Sequence, residues 1–525
     1  MCGILFVEGK TDMSAFESSF KKIHHRGPDM SRIITNPLGT FGFHRLAIMD
    51  VSEHGMQPFI DGHLMAVCNG EIYNEHAIKA SFKDYPFQGH SDCEVLIPMY
   101  QAYGIDMARR LDAEFAFVLT DTLNKRIIAA RDPIGIRPLF YGYQKKTHKI
   151  AFASEAKALI DLCEEVHPFP IGTLYDTGHF IPYRDITKAK TETMTDETQI
   201  KTTIREKLTA GVQKRMMSDV PLGYLLSGGL DSSLVCAIAA KSSDKPLTTF
   251  AIGMKTDAID LKYARIVADH LKTDHHEIIM TIPEVLQALP EVVRMLETYD
   301  ITTIRASLGM YLLCKGIRER SDIKVLLSGE ISDELFGYKY TDFAPSAQAF
   351  QLESEKRLRE LYEYDVLRAD RCIAAWSLEA RVPFGDLDFV SSVLSIDPAM
   401  KLNTKKMGKY WLRAAFEEGD YLPESILWRD KAAFSDAVGH SMVDALKAQA
   451  ELLYSDAMFE AGIKKYADCP PISKEALWYR DLFESFYPKQ SHWITAYWMP
   501  NKHWEGCAVN DPSARVLSNY GLSGV

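Results

Sequence analysis

The run Leu225-Leu226-Ser227-Gly228-Gly229-Leu230-Asp231-Ser232-Ser233 decides how this chain is read. An apolar stretch, Gly223-Tyr-Leu-Leu-Ser227, stops at Ser-Gly-Gly, and a helix-forming stretch, Ser233-Leu-Val-Cys-Ala-Ile-Ala-Ala240, follows at once. The order is strand, tight turn, helix. Glycines let a backbone approach an anion closely. The helix N-terminus adds unpaired N–H groups and partial positive charge. Ser227, Ser232 and Ser233 supply hydroxyl donors, so the turn reads as a phosphate cradle. Asp231 is out of place beside a phosphate unless a cation bridges them, which points to Mg2+. The Gly-Lys-Ser/Thr ending of a Walker A loop is absent. The plainer reading is a capped strand–turn–helix junction, and it leaves the glycine pair and the serines unexplained.

Outward from this turn, strands alternate with helices. Thr248-Thr-Phe-Ala-Ile252 and Lys324-Val-Leu-Leu-Ser328 read as further strands. Ala264, Val267, Ala268 and Leu271 recur at helical spacing on one face. The alternation predicts a parallel sheet with helices on both faces. A second turn, Ser328-Gly-Glu-Ile-Ser-Asp-Glu334, ends another strand and gathers Glu330, Asp333 and Glu334. In a parallel sheet both tips would share the carboxyl edge, where such sheets bind ligands. Taken alone, the acidic turn would read as a solvated loop.

Upstream, short apolar runs alternate with Gly, Pro and Asn turns, as in His63–Cys68, Phe115–Thr120 and Lys125–Ala130. They predict a sheet-rich α+β domain. The polar stretch 183–199 reads as the connection between the two halves, residues 355–500 as mostly helical, and the polar end from Asn510 as a frayed tail.

With 525 residues the chain exceeds one core, so two or more domains are expected. A net charge of −11 without a basic stripe argues against nucleic acid and anionic membranes. No apolar run is long enough for a membrane span, and the opening residues do not read as a secretory leader. The nine cysteines form no CxxC pair, which suggests reduced thiols in a cytoplasmic protein. His275-His276-Glu277 lacks metal-site spacing and reads as a strand entry.

Cys2 stands directly after the initiator methionine. Removal of Met1 would put a thiol and a free α-amine on one residue. The amine, titrating near pH ~8, can serve as base for its own nucleophile. The alternative is a small buried hydrophobe on the strand face shared with Ile4 and Phe6.

Cys2-Gly-Ile, His25-Arg-Gly-Pro-Asp29, His44-Arg45-Leu46, Asn69-Gly-Glu-Ile-Tyr-Asn74 and Ser91-Asp92-Cys-Glu94 resemble the class II, N-terminal-nucleophile glutamine amidotransferases. Arg131-Asp-Pro-Ile-Gly135 and Ala153-Ser-Glu-Ala-Lys157 follow the same pattern. Ser227 to Ser233 is similar to the pyrophosphate loop of ATP pyrophosphatases. With Glu297–Ser307 and Glu379-Ala-Arg-Val-Pro-Phe384, the set resembles the glutamine-dependent asparagine synthetase family from residue 2 to about residue 500.

The resemblance implies a glutaminase domain over 2–190, with stacked antiparallel sheets between helices. It implies an ATP-pyrophosphatase synthetase domain over 200–510, then a disordered tail over 511–525. Cys2 would attack the glutamine amide, with Asn69 and Gly70 as oxyanion hole. Arg45 would grip the α-carboxylate, and Glu71 and Asp92 the α-amino group. Ammonia would travel through a tunnel to the second site, where aspartate and MgATP form β-aspartyl-AMP. There Leu226, Ser227, Gly228, Gly229, Leu230, Asp231, Ser232 and Ser233 would hold pyrophosphate. Asp231 and Asp333 would hold Mg2+, and Ile252, Ser328 and Gly329 would surround the adenosine. Glu330 would assist ammonia as base, Lys431 would stabilise the adenylation transition state, and Thr302, Thr303 and Arg305 would bind aspartate. A homodimer with glutamine, aspartate and ATP as partners is implied.

The pattern departs from the family at several places. Ile331 replaces the inner glycine of the second turn, where a β-branched residue tolerates positive φ poorly. Gly337 stands where Gly-Gly is usual, Leu308-Gly309 replaces Thr-Pro, Gly385 replaces leucine, and Ala113 replaces glycine. Two alternatives stay open: an amidotransferase acting on another acyl-adenylate, or a glutaminase with an impaired synthetase site.

Overall fold

The computed structural model describes residues 1–525 except 189–191, 257, 431–439 and 521–525. The chain forms two units. One comprises Met1–Lys188, Met217–Pro221 and Ile373–Glu379, and the other comprises Ala189–Met216, Leu222–Cys372 and Ala380–Val525.

The first unit holds two six-stranded sheets. In one, Gly3–Glu8 lies between Ile150–Ala153 and Gly39–Arg45. In the other, Ala113–Asp121 lies between Leu64–Ile72 and Arg126–Arg131. These ladders are antiparallel. Strand alternation sends Ile4, Phe6, Phe41 and Phe43 of one sheet against Val67, Ala116 and Val118 of the other. The opposite face of the second sheet packs Phe115 and Phe117 against Leu96 and Met99 of the helix Leu96–Tyr103. Covered on both faces, Ala113–Asp121 is buried throughout and reads as a near-continuous apolar run. On the first sheet, Phe16 and Phe20 of the helix Met13–Lys21 lie over Gly42, whose absent Cβ would come 2.8 Å from Phe20. The result is the expected pair of stacked antiparallel sheets between helices.

Four neighbouring strands of the second unit lie in the order Asp274–Met280, Thr248–Met254, Leu222–Leu225 and Val325–Leu327, all parallel. The chain leaves Leu222–Leu225 toward one edge and returns on its other side at Val325–Leu327. The two signal turns therefore follow neighbouring strands at a topological switch point, where a crevice opens. The helices Leu230–Lys241, Ile259–Leu271 and Ile301–Arg320 join these strands. His275-His276-Glu277 lies within a strand, as read from the sequence.

Two expectations need correction. The polar stretch 183–199 is not all connection, because the helix Glu197–Arg215 starts within it, capped by Asp196, which accepts from Gln199 N at 2.7 Å. Residues 511–520 do not fray. Asp511 pairs with buried Arg305, Leu517 joins Tyr340, Trp504 and Cys507 in a small core, and Asn519 Nδ2 donates to Lys339 O at 2.7 Å. Polar composition concealed this because the anchors are distant partners. Among the described residues no helix is long and apolar enough to cross a membrane.

Candidate functional site

In the first unit, motifs scattered along the chain close around the N-terminal strand. Arg26 Nε donates to Cys2 O at 3.0 Å, and Arg26 Nη1 to Glu155 Oε1 at 2.7 Å. His25 Nε2 lies 3.1 Å from the same oxygen. Ser154 Oγ accepts from Ile4 N at 2.9 Å, and Asp29 Oδ2 from Ala47 N at 2.8 Å. The motif residues thus fix the backbone that carries Cys2.

Cys2 N donates to Asn69 Oδ1 at 2.9 Å. Asn69 is fully buried, and its Nδ2 has no hydrogen-bond partner. A buried unpaired donor is costly, and this one lies on the side chain that holds Cys2 N. Gly70 follows in the same strand, where a Cβ would lie 2.3 Å from Glu114 O. Asp92 Oδ2 accepts from Ile72 N at 2.7 Å, which sets it beside buried Glu71. Arg45 Nη1 donates to Ser52 O at 2.5 Å, and Nη2 to Met49 O at 3.2 Å and to Asp50 O. Its guanidinium braces the 49–52 backbone. Met1 is wholly buried, and its amine lies 3.8 Å from Glu379. Burial pushes the Cys2 thiol up to about 11 and the Met1 amine down to about 6. With Met1 attached, Cys2 is therefore a neutral thiol at physiological pH.

In the second unit one cleft brings the two turns together. Its walls include Leu226, Ser227, Gly229, Leu230, Asp231, Ser232, Ile252, Thr302, Arg305, Ser328, Gly329, Glu330 and Asp333. Close backbone approach demands the glycines. A Cβ on Gly329 would lie 2.7 Å from Ser232 N, and Gly228, at φ +73°, is backed by Ala264 N at 2.4 Å from its missing Cβ. Gly228 and Ser233 stand behind the wall, and Ser233 Oγ is buried without a partner.

Asp231 and Asp333 converge on one point, and Lys409 Nζ occupies it. It lies 2.8 Å from both Asp231 oxygens, 2.6 Å from Asp333 Oδ1 and 3.0 Å from Ser332 Oγ. Two hard carboxylates facing one cation position would suit Mg2+. Glu330 pairs with Arg368 at 2.5 Å. Burial raises its carboxyl above the usual range against the pull of Arg368. Thr302 Oγ1 is buried without a partner and faces the cleft. Thr303 instead is taken up by the helix cap, its N and Oγ1 donating to the N-cap Asp300 Oδ2 at 2.8 and 2.7 Å. Arg305 is engaged by Glu475 and Asp511. Lys431 lies outside the described residues.

Sequence reasoning did not find Lys409, Arg368 or Arg429. Arg429 Nη1 donates to Gly228 O at 3.2 Å, and its guanidinium stacks 3.5 Å from the Tyr263 ring, bracing the first turn from behind. No spacing distinguished these cations from surface ones; burial does.

Comparison with known proteins agrees with this geometry. The Asparagine synthase family matches residues 203–360 and 342–509, and the Glutamine amidotransferase domain family matches residues 1–194. The chain is 42% identical to a probable asparagine synthetase [glutamine-hydrolyzing] of Schizosaccharomyces pombe, over 99% of each chain. It is 42% identical to asparagine synthetase [glutamine-hydrolyzing] 1 of Saccharomyces cerevisiae, over 98% of each. The Homo sapiens asparagine synthetase [glutamine-hydrolyzing] is 40% identical, over 99% of each. With both families matched in order and relatives aligned end to end, the chain belongs to the glutamine-hydrolysing asparagine synthetase family.

Proposed function

We infer that this enzyme makes asparagine from aspartate, ATP and glutamine. The observation that carries the reading is the pairing of two sites on one chain: Cys2 N held on Asn69, and a phosphate turn facing an acidic turn. Loss of Met1 exposes the α-amine of Cys2, which takes the thiol proton. The Cys2 sulfur attacks the glutamine side-chain amide, and Asn69 Nδ2 with Gly70 N stabilises the developing oxyanion. Ammonia leaves, and water releases glutamate from the thioester. Asp92 and Glu71 hold the α-amino group, and Arg45 shapes the loop that receives the α-carboxylate.

In the second site the aspartate β-carboxylate attacks the ATP α-phosphorus. Pyrophosphate leaves into the Ser227–Ser233 turn. Asp231 and Asp333 would hold Mg2+, which would supply charge neutralisation for the phosphates. Lys409 and Lys431 add positive charge where the α-phosphate and pyrophosphate separate. Thr302 donates to aspartate. Glu330, kept near Arg368, receives the proton as ammonia attacks the acyl carbon; asparagine and AMP leave. The working enzyme is a cytoplasmic homodimer.

One structural observation favours a weaker synthetase. Ile331 adopts φ +81°, ψ −17°, a conformation suited to glycine, in the middle of the second turn. The test is pyrophosphate release with MgATP and aspartate, using ammonium and then glutamine, with asparagine quantified. Asparagine from both donors is the expected result. Glutamate without pyrophosphate or asparagine would reduce the protein to a glutaminase.

A further inference from the structure

Arg305 projects from the helix Ile301–Arg320 and is almost wholly buried. Its Nε and Nη2 donate to Glu475 at 2.9 and 2.5 Å. Its Nη1 and Nη2 donate to Asp511 at 3.0 Å each. A guanidinium grips carboxylates two-pronged along its edges, and both usable edges of Arg305 are filled. No edge remains for the carboxylate of a substrate.

Asp511 is held from other sides as well. Lys447 Nζ lies 2.9 Å from Oδ2, and Ser513 N donates to Oδ1 at 2.8 Å. Against the upward push of burial, Arg305 and Lys447 keep this carboxyl well below the usual range. The next residues, Pro512 and Ser513, face the cleft beside Thr302, Tyr338 and Trp498. Beyond them Leu517 enters the apolar cluster with Tyr340 and Trp504, and Asn519 bonds Lys339 O and Asp342. The segment is thus tied on both sides of its cleft-facing residues, by ions at one end and by packing at the other.

We propose that Asp511–Ser513 is a fixed wall of the aspartyl-adenylate pocket, and that Arg305 and Asp511 are positioning residues for that wall, Arg305 serving as its anchor instead of a ligand of the substrate. The proposal rests on the asparagine-forming reading above. The wall keeps bulk water from the acyl phosphate. Ammonia then forms the C–N bond while the acyl–oxygen bond to AMP breaks and the surplus proton passes to a base. Water in its place would form a C–O bond and return aspartate and AMP.

The experiment compares the full-length enzyme with Asp511→Asn, Asp511→Glu and a chain ending at Asn510, each given MgATP, aspartate and ammonium. The readouts are asparagine formed per pyrophosphate released and the KM for aspartate. Glutamate formation from glutamine serves as the folding control. Asp511→Asn and the shortened chain should waste pyrophosphate, making less asparagine per pyrophosphate. Loss of the charge-assisted bonds should raise the aspartate KM about tenfold. Asp511→Glu should recover most of the yield. Trypsin should cut after Arg515 faster in Asp511→Asn than in the unaltered enzyme. Unchanged yield and KM in Asp511→Asn would overturn the proposal. So would a fall in the aspartate KM, which would make Asp511 a rival for the substrate's place on Arg305. An unaltered enzyme that makes no asparagine would defeat the underlying reading instead, and the trypsin comparison would then still decide whether Asp511 anchors the segment.

Discussion

Around Cys2 a buried donor, Asn69 Nδ2, waits without a partner, whereas in the nucleotide cleft the charged side chains already hold one another. There Lys409 lies between Asp231 and Asp333, Arg368 lies on Glu330, and Arg305 lies between Glu475 and Asp511. The difference follows from what each site receives. On the proposed reading the reacting amide of the first site gains charge only briefly, as an oxyanion, and a neutral donor fixed in place answers it without reorganising. On the same reading the cleft receives the permanent charges of ATP. Unpaired ions there would be expensive to bury, so these are balanced by internal partners until a ligand exchanges with them. Around Cys2 a neutral donor is left open; in the cleft these ions sit in exchangeable pairs.

Removing the nucleophile tests the independence of the two most severely. Cys2→Ala should lower glutamine-dependent asparagine formation by on the order of ten thousandfold, with the ammonium-dependent reaction unchanged. Equal loss with both donors would show that the sites are not separable.

The protonation of Cys2 gives the next largest effect. While Met1 is attached, burial holds the thiol near pKa 11, so the thiolate is scarce at pH 8 and its share grows with pH. Alkylation of Cys2 in that form should accelerate about five hundredfold between pH 8 and 11. A profile already flat from pH 8, read by mass spectrometry, would show that burial does not control this thiol.

Asn69→Ala probes the waiting donor itself. Glutaminase kcat should fall about a hundredfold or more, with glutamine KM changing less. If KM alone rises, Asn69 grips the ground state and is not the oxyanion donor.

On the other side of the comparison, Lys409→Met leaves two carboxylates facing each other. Pyrophosphate release should drop about a hundredfold, while glutamate formation continues. Full synthetase activity in this variant would make Lys409 only a placeholder between the acids.

The smallest effect is expected at Ile331. Its side chain is 2% exposed, so Ile331→Gly loses roughly 2 kcal/mol of burial. It also relieves roughly 1–3 kcal/mol of left-handed strain. The two nearly cancel in stability, and Tm should hardly move. Pyrophosphate release should rise severalfold as the turn closes more easily on phosphate. A slower variant would mean that this enzyme has come to use the isoleucine.

Much of this was legible along the chain. The strand–turn–helix at Leu225–Ser233 and the acidic turn at Ser328–Glu334 announced a parallel sheet with one loaded edge, and the structure sets them on adjacent strands. Cys2 on the Ile4 and Phe6 face was also readable, since a strand alternates with period two. Ile331 stood out because its side chain conflicts with the turn it must make. Lys409, Arg368 and Arg429 were not legible, because a lysine or arginine announces nothing until its surroundings exclude water. The segment 511–520 was misread for the same reason. Its polar residues looked solvated, yet Asp511 meets an arginine 206 positions earlier.

The sequence by itself determined the two-part architecture, the cysteine at residue 2 and the glycine turn between strand and helix. These are local patterns whose backbone requirements are written in neighbouring residues. Only the tertiary structure decided which charges pair, which donor stays unpartnered and what walls the cleft. Those outcomes depend on desolvation by residues far apart in the chain, and burial, not residue type, sets the strength of a charge.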